Sequence, residues 1–248
     1  MQAVILAAGV GNRLGELGGD RPKSLLEFGG RSLLARHLDA LAEVGIAGLT
    51  VCVGYRREAI EAEIARHARV PVTTVYNPLF REGSVRSLWT VREALRYGGE
   101  VLLMDADVLY APRLLQTLAA STHANCLLLD RDLPPGDEPV KICVRDGRIV
   151  EFRKIPDPTI AYDFAGESVG FFKFSSAAAA DLAARTETYL SQQREREAYE
   201  EPIRDMVLAR SQPFAFEDIT GMPWIEIDFP DDVRRARDDI LPRIAHES

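Results

Sequence analysis

No apolar run in this chain is long enough to cross a bilayer, no Cys-x-x-Cys pair is present, and acidic residues outnumber basic ones by 38 to 30. Each absence closes off a class of function. The first argues against a membrane-spanning helix and a membrane partner. The three cysteines, Cys52, Cys126 and Cys143, are scattered, each within an apolar strand-like stretch. They read as small buried residues, in keeping with a reducing compartment. A net charge of −8 argues against general nucleic-acid binding, so an anionic ligand would have to be held by local cations and helix N-termini. The short apolar run at the start has no basic region ahead of it and leads straight into glycines, so it is not read as a signal peptide, and a cytoplasmic location is expected.

What is present is ordinary globular material, 46% hydrophobic and 27% charged over 248 residues, enough for one α/β domain with a substantial core. The stretch that organises it is Val4-Ile5-Leu6-Ala7-Ala8-Gly9-Val10-Gly11-Asn12-Arg13-Leu14, followed by Arg21-Pro22-Lys23. An apolar run reads as a buried strand, and the small residues after it let the backbone turn tightly around something bulky and anionic. The glycines supply close approach and N–H donors, Arg13 a forked cation and Lys23 a second point charge. Two common glycine loops are disfavoured. A dinucleotide fingerprint needs Gly or Ala where Leu14 stands, and a P-loop needs a Gly-Lys-Ser/Thr that this stretch lacks.

The stretch resembles the N-terminal signature of the nucleotidyltransferases that join a nucleoside triphosphate to a phosphorylated sugar or alcohol, Leu-Ala-Ala-Gly-x-Gly-x-Arg-Leu with a downstream Pro-Lys. Leu6, Ala7, Ala8, Gly9, Gly11, Arg13, Leu14, Pro22 and Lys23 match, whereas Asn12 stands where Thr or Ser is more frequent. The resemblance implies a Rossmann-like, GT-A type three-layer α/β fold with a mixed central sheet. It also implies one domain over 1–248, with a nucleotide-binding half at 1–130 and a small β-rich acceptor-binding half at 131–248.

Spacing fills in the elements. Leu33, Leu34, His37, Leu38, Leu41 and Val44 predict an amphipathic helix over 31–44, with His37 packed rather than catalytic. Strands are expected at 49–53 and 72–76 and a second helix at 56–69, an alternation that indicates a parallel sheet wound with helices. Asn77-Pro78 then breaks the sheet, and Ser84 is expected to cap a helix reaching residue 97, presenting N–H groups at the sheet's C-terminal edge. In the resembled family this region, here Asn77, Gly83 and Ser84, reaches the nucleobase.

Val101–Asp107 ends an apolar strand in two carboxylates, Asp105 and Asp107, which alternation places on the same side, close enough to serve one hard cation. The resemblance makes Asp107 a Mg²⁺ ligand and Asp105 a nucleotide-side residue. A helix is expected near 111–120 and a strand at 124–129. Residues 141–152 alternate around Asp146-Gly147, a hairpin signal, with mixed or antiparallel sheet continuing to about 174. The resemblance aims Lys154, at the hairpin's end, at the acceptor phosphate, and Lys141 is the second cation there. Tyr162, Phe164, Glu167, Phe171, Phe172 and Trp224 are candidates for holding an ammonium head group by cation–π contact and charge compensation. Tyr199, Glu200 and Glu201 could border the same acceptor pocket. Helices are expected at 175–190 and 199–210. Finally, Trp224-Ile225-Glu226-Ile227-Asp228-Phe229-Pro230 reads as a strand entering a helix with Pro in its first turn, and the resemblance makes Asp228 the partner of Asp107.

Together these imply attack by an acceptor phosphate oxygen on the α-phosphorus of a nucleoside triphosphate, with Mg²⁺ as cofactor. Arg13 and the loop amides would hold the β- and γ-phosphates, Lys23 the α-phosphate, and Lys154 the acceptor. The Asn77-Pro78 region and the Trp-Ile-Glu-Ile-Asp-Phe-Pro ending look most like bacterial choline-phosphate cytidylyltransferases. That implies CTP as donor and a phosphocholine, phosphoethanolamine or aminoalkylphosphonate acceptor, with room for a homodimer. A sugar-1-phosphate nucleotidyltransferase is the near alternative. A nucleotide-sensing domain would have lost a catalytic cation or carboxylate, and all are present. A glycosyltransferase using Asp105-Ala106-Asp107 would leave Arg13 and Pro22-Lys23 unexplained.

Overall fold

The computed structural model describes residues 1–17, 21–132, 136–210 and 212–247. The chain first alternates strand and helix: β1 (Gln2–Ala7), a small hairpin of β2 (Glu27–Phe28) and β3 (Arg31–Ser32), α1 (Leu33–Glu43), β4 (Leu49–Val53), α2 (Arg57–His67), β5 (Val72–Tyr76), α3 (Ser84–Thr90), α4 (Arg92–Leu95) and β6 (Val101–Asp105). There follow β7 (Val108–Tyr110), α5 (Pro112–Ala120), β8 (Cys126–Asp130), the hairpin of β9 (Lys141–Arg145) and β10 (Arg148–Arg153), β11 (Phe164–Phe174), α6 (Ser176–Ser191), α7 (Glu200–Ala209), β12 (Ala215–Asp218), β13 (Trp224–Glu226), α8 (Pro230–Arg235) and α9 (Leu241–Glu247).

One mixed sheet runs in the order β10-β9-β11-β6-β1-β4-β5, with β8 paired to β11 and β12 to β8. The stretch β6-β1-β4-β5 is wholly parallel. β11 then joins β6, β8 and β9 antiparallel. Parallel strands covered on both faces need to be apolar throughout, and all five residues of β4 are buried. Alternation along β1 makes the three layers. Ala3, Ile5 and Ala7 pack in one cluster with Leu34, Leu38 and Leu41 of α1 and Leu114, Leu115 and Leu118 of α5. Val4 packs in the other with Leu88, Leu95, Ala178, Leu182 and Met206 from α3, α4, α6 and α7. A third cluster seats the last helices, through Ala236, Ile240 and Ile244, on Leu14, Phe28, Leu33, Leu109 and Ile227.

Local chemistry sets the helix boundaries. The Ser32 hydroxyl accepts from the Ala35 N–H at 3.0 Å and starts α1. The helix after Asn77 differs from expectation at both ends. Gly83, at φ 128°, is its cap, and Ser84 is the first helical residue. The helix stops at Thr90, because Val91 (φ −99°, ψ 14°) separates it from α4. His37 is fully buried against Tyr110 and Phe171, its Nδ1 3.1 Å from the Tyr110 hydroxyl, and burial pushes its pKa down to about 4. No helix among the described residues is long and apolar enough to cross a membrane.

Candidate active site

Parallel pairing places Leu6 of β1 beside Asp105 of β6, so both strands release their chains at the same sheet edge. Open α/β sheets form their binding crevice at that edge. After β1 the backbone turns at Gly11 (φ 71°), where a side chain would be strained and its Cβ would stand 2.8 Å from the Cγ of Lys23. The missing side chain is the track along which the lysine stem crosses the loop. The acidic end arrives from far along the chain. β13 pairs antiparallel with β7, setting Glu226 opposite Val108, and the Ile227 N–H donates to the Asp107 carbonyl at 2.9 Å. Asp228 is thereby delivered beside Asp107. One oxygen of Asp232 accepts from the N–H groups of Asp228 and Phe229, at 3.0 and 2.7 Å, fixing the turn into α8.

These elements enclose a cavity of about 710 Å³. Its lining includes Leu6, Ala7, Ala8, Gly9, Gly11, Arg13 and Lys23 from the first loop, Gly83 and Ser84 from the start of α3, and Asp105, Asp107, Lys154, Tyr199, Glu200, Glu226 and Asp228. Lys23 Nζ donates to Asp107 at 3.0 Å and also to Asp228. Arg13 donates to Asp228 at 2.9 Å and to Glu138 at 3.1 Å. The same Glu138 oxygen takes Lys154 at 3.2 Å, at the exposed mouth.

Charge crowding shapes the electrostatics. Burial by itself lowers the Lys23 pKa, but Asp107 and Asp228 outweigh it and raise it, so the amine is charged at any ordinary pH. Burial opposes ionisation of Asp228, and Lys23, then Arg13 and Lys154, hold it below the usual carboxylate range nonetheless. Asp105 is driven well above that range by burial and then by Asp107, Glu200 and Glu226, while the Tyr199 hydroxyl donates to it at 2.7 Å. Gly170, at φ 77°, makes room: a Cβ there would lie 2.1 Å from the Asp105 carboxylate. Glu226 is raised too, by lost hydration and then by Asp107 and Asp228.

Asp107, Glu226 and Asp228 each offer one oxygen, and the three lie within 4.8 Å of one another. An all-oxygen, anionic donor set of this kind suits Mg²⁺. Glu226 is the functional candidate that sequence reasoning missed. Its signal was available, since Glu226-Ile227-Asp228 repeats the spacing of Asp105-Ala106-Asp107.

Other expected site residues are placed elsewhere. Asn77 is buried beside the cleft, donating to Ser87 at 3.1 Å and accepting from the Leu79 N–H at 2.9 Å. Lys141 turns its amine onto the carbonyls of Gly136 and Lys154, at 2.9 and 2.8 Å. Glu201 is engaged by Arg153 at 3.0 and 3.2 Å, outside the cavity. Trp224 Nε1 donates to Asp130 at 2.7 Å, Glu167 lies opposite that same Asp130 in the sheet, and Tyr162 is an exposed surface ring. The structure does not bring these last three to the cavity, and Phe164, Phe171 and Phe172 pack into the core clusters instead. The Asn12 side chain lies outside the described residues.

Comparison with known proteins agrees in direction. Residues 3–206 match the family described as the MobA-like NTP transferase domain. The CMP-5'-(3-aminopropyl)phosphonate synthase of Streptomyces rubellomurinus is 31% identical over 244 residues, covering 95% of this chain and 38% of its own. A bifunctional IPC transferase and DIPP synthase of Rubrobacter xylanophilus is 30% identical over 248 residues, with 96% and 52% covered. The chain thus spans about half or less of the length of these curated relatives. The inositol-1-phosphate CTP transferase from T. maritima has a similar fold, with a TM-score of 0.78 at 20% identity over 98% of this chain and 94% of that one.

Proposed function

The chain belongs to the MobA-like NTP transferase family, and from that premise we propose that it is a Mg²⁺-dependent cytidylyltransferase. It would join the CMP portion of CTP to a phosphonate or phosphate oxygen of a small acceptor, an aminoalkylphosphonate or a phosphocholine-like phosphoalcohol, and release pyrophosphate. The observation that carries this is the gathering of Arg13, Lys23 and Lys154 with Asp107, Glu226 and Asp228 around one cleft at the C-terminal edge of the parallel strands. CTP and the acceptor class are supported by the relative from Streptomyces, whose name specifies a CMP-linked aminopropylphosphonate and which aligns with 95% of this chain.

An acceptor oxygen attacks the α-phosphorus and the bond to the bridging oxygen of the leaving pyrophosphate breaks. Such a step needs alignment and charge dispersal rather than covalent help from the protein. The loop amides after β1 and Arg13 take the β- and γ-phosphates. Lys23 neutralises charge at the α-phosphate, and Lys154 steers the acceptor anion. Asp107, Glu226 and Asp228 would hold Mg²⁺, which when bound supplies positive charge to the reacting phosphate oxygens.

The test is pyrophosphate release in a screen of four nucleoside triphosphates against 2-aminoethyl- and 3-aminopropylphosphonate, ethanolamine phosphate, choline phosphate and several sugar-1-phosphates. Turnover with CTP and an amino-bearing acceptor is expected. Turnover confined to sugar-1-phosphates would overturn the acceptor assignment, and none with any pair would overturn the enzyme itself.

A further inference from the structure

The Lys23 ammonium bridges two of the carboxylates that would serve a divalent ion. It donates at once to Asp107 and Asp228, two of the three carboxylates whose oxygens converge. Its side chain is 14% exposed and those of the two aspartates 22% and 21%, so the contacts are shielded rather than loose surface pairs. An ion bound by these oxygens needs to approach each to about 2.0–2.1 Å, and between Asp107 and Asp228 the amine stands in its way. Two cations cannot share that gap. The stem that carries the amine there passes over Gly11, where a Cβ would stand 2.8 Å from Lys23 Cγ. The absence of a Cβ there leaves room for the stem beside the loop whose amides would face a triphosphate.

We infer that Lys23 is a built-in stand-in for the divalent ion: in the nucleotide-free protein it excludes the metal, and the metal enters only with the triphosphate that draws Lys23 off the two aspartates. This rests on reading the cleft as a triphosphate and cation site. It adds an order of binding, with metal and nucleotide arriving as one unit. It also gives Lys23 two positions, one neutralising the empty carboxylates and one neutralising phosphate. The exchange keeps the cleft's charge compensated in both states, which a crowded, half-buried set of carboxylates favours.

The experiment titrates Mn²⁺ into the nucleotide-free full chain and follows the free ion by electron paramagnetic resonance. Wild type should show no saturable binding below about 1 mM. Lys23→Gln should bind one Mn²⁺ at least roughly tenfold more tightly, Lys23→Arg should still exclude it, and Lys23→Gln with Asp107→Asn should lose the gained site. One-ion binding by wild type within about twofold of Lys23→Gln would overturn the inference, as would failure of both proteins to bind. Should Lys23→Gln fail to fold, Lys23→Met takes its place with the same expected and overturning outcomes. These readouts need no turnover. Equal Mn²⁺ binding in an active enzyme sinks only the stand-in role, whereas an inactive protein that still shows the wild-type to variant difference sinks only the assigned reaction.

Discussion

The lining of the cleft is built on two different plans. One part comes from one short stretch, Leu6 to Gly11 with Arg13, and Lys23 close behind. The other part comes from separate places: Lys154 after β10, Tyr199 and Glu200 at the start of α7, Glu226 and Asp228 from β13 and its exit. A tight turn against a polyanion imposes its own composition, because small residues and positive φ are needed where the backbone approaches. A pocket assembled from distant segments imposes none on any single segment. It can use common residues whose meaning appears once the chain is folded.

Substitutions can break or sharpen that contrast. The largest effect belongs to the charged centre: Arg13→Ala and Asp107→Ala should each lower turnover by roughly 10²–10³-fold or more, with circular dichroism and melting temperature near those of the parent. Near-normal pyrophosphate release in either would remove that residue from the chemistry. Next comes Gly170→Ala, directly behind Asp105. A side chain there is strained at φ 77° and meets the Asp105 carboxylate at 2.1 Å, so a loss of about 1–3 kcal/mol is expected in denaturant melts, along with a clear fall in turnover. Gly147→Ala, at φ 71° with nothing within 4 Å of its Cβ, is the control and should lose about 1 kcal/mol with turnover unchanged. Equal loss of activity in both would deny Gly170 its special contact.

The smallest effect concerns Glu167. Burial and then Asp130 push its carboxyl up from 4.5 to about 7. A carboxyl raised by folding contributes stability that is full below the unfolded value, near 4.5, and is lost as pH rises through about 7. Glu167→Gln should therefore melt a few degrees above the parent near pH 8 and together with it near pH 4. The acceptor KM should stay unchanged, and a large rise in it would return Glu167 to the acceptor pocket.

Particular residues explain what the sequence made legible. The expected strands at 49–53 and 72–76 coincide with β4 and β5, because both the fully buried β4 and the half-exposed edge strand β5 are apolar or β-branched runs closed by turns. The cap at Gly83 was hidden because its reason lies in the chain at Glu195 and Arg196, whose backbone stands 2.6 Å from where a Cβ would be. Asp105, Asp107, Asp228 and Lys154, named from the sequence, all reach the cavity. Tyr162, Glu167 and Trp224 do not. Aromatic and acidic side chains serve a sheet face as readily as a ligand, and here Asp130 takes the Trp224 indole. Lys141 reads like Lys154 in sequence, and only the carbonyls around its amine distinguish them.

β11 runs for eleven residues, pairs with β9 through Phe164–Glu167 and with β6 through Phe171–Phe174, and changes register against β8 between Ser168 and Phe172, around Gly170. An engineer who wished to transplant the β9–β10 hairpin of a relative could not cut at the hairpin's own ends. The graft would have to carry the whole of this strand, kink included, because the same ribbon of backbone that seats the hairpin also leaves the hollow into which Asp105 folds.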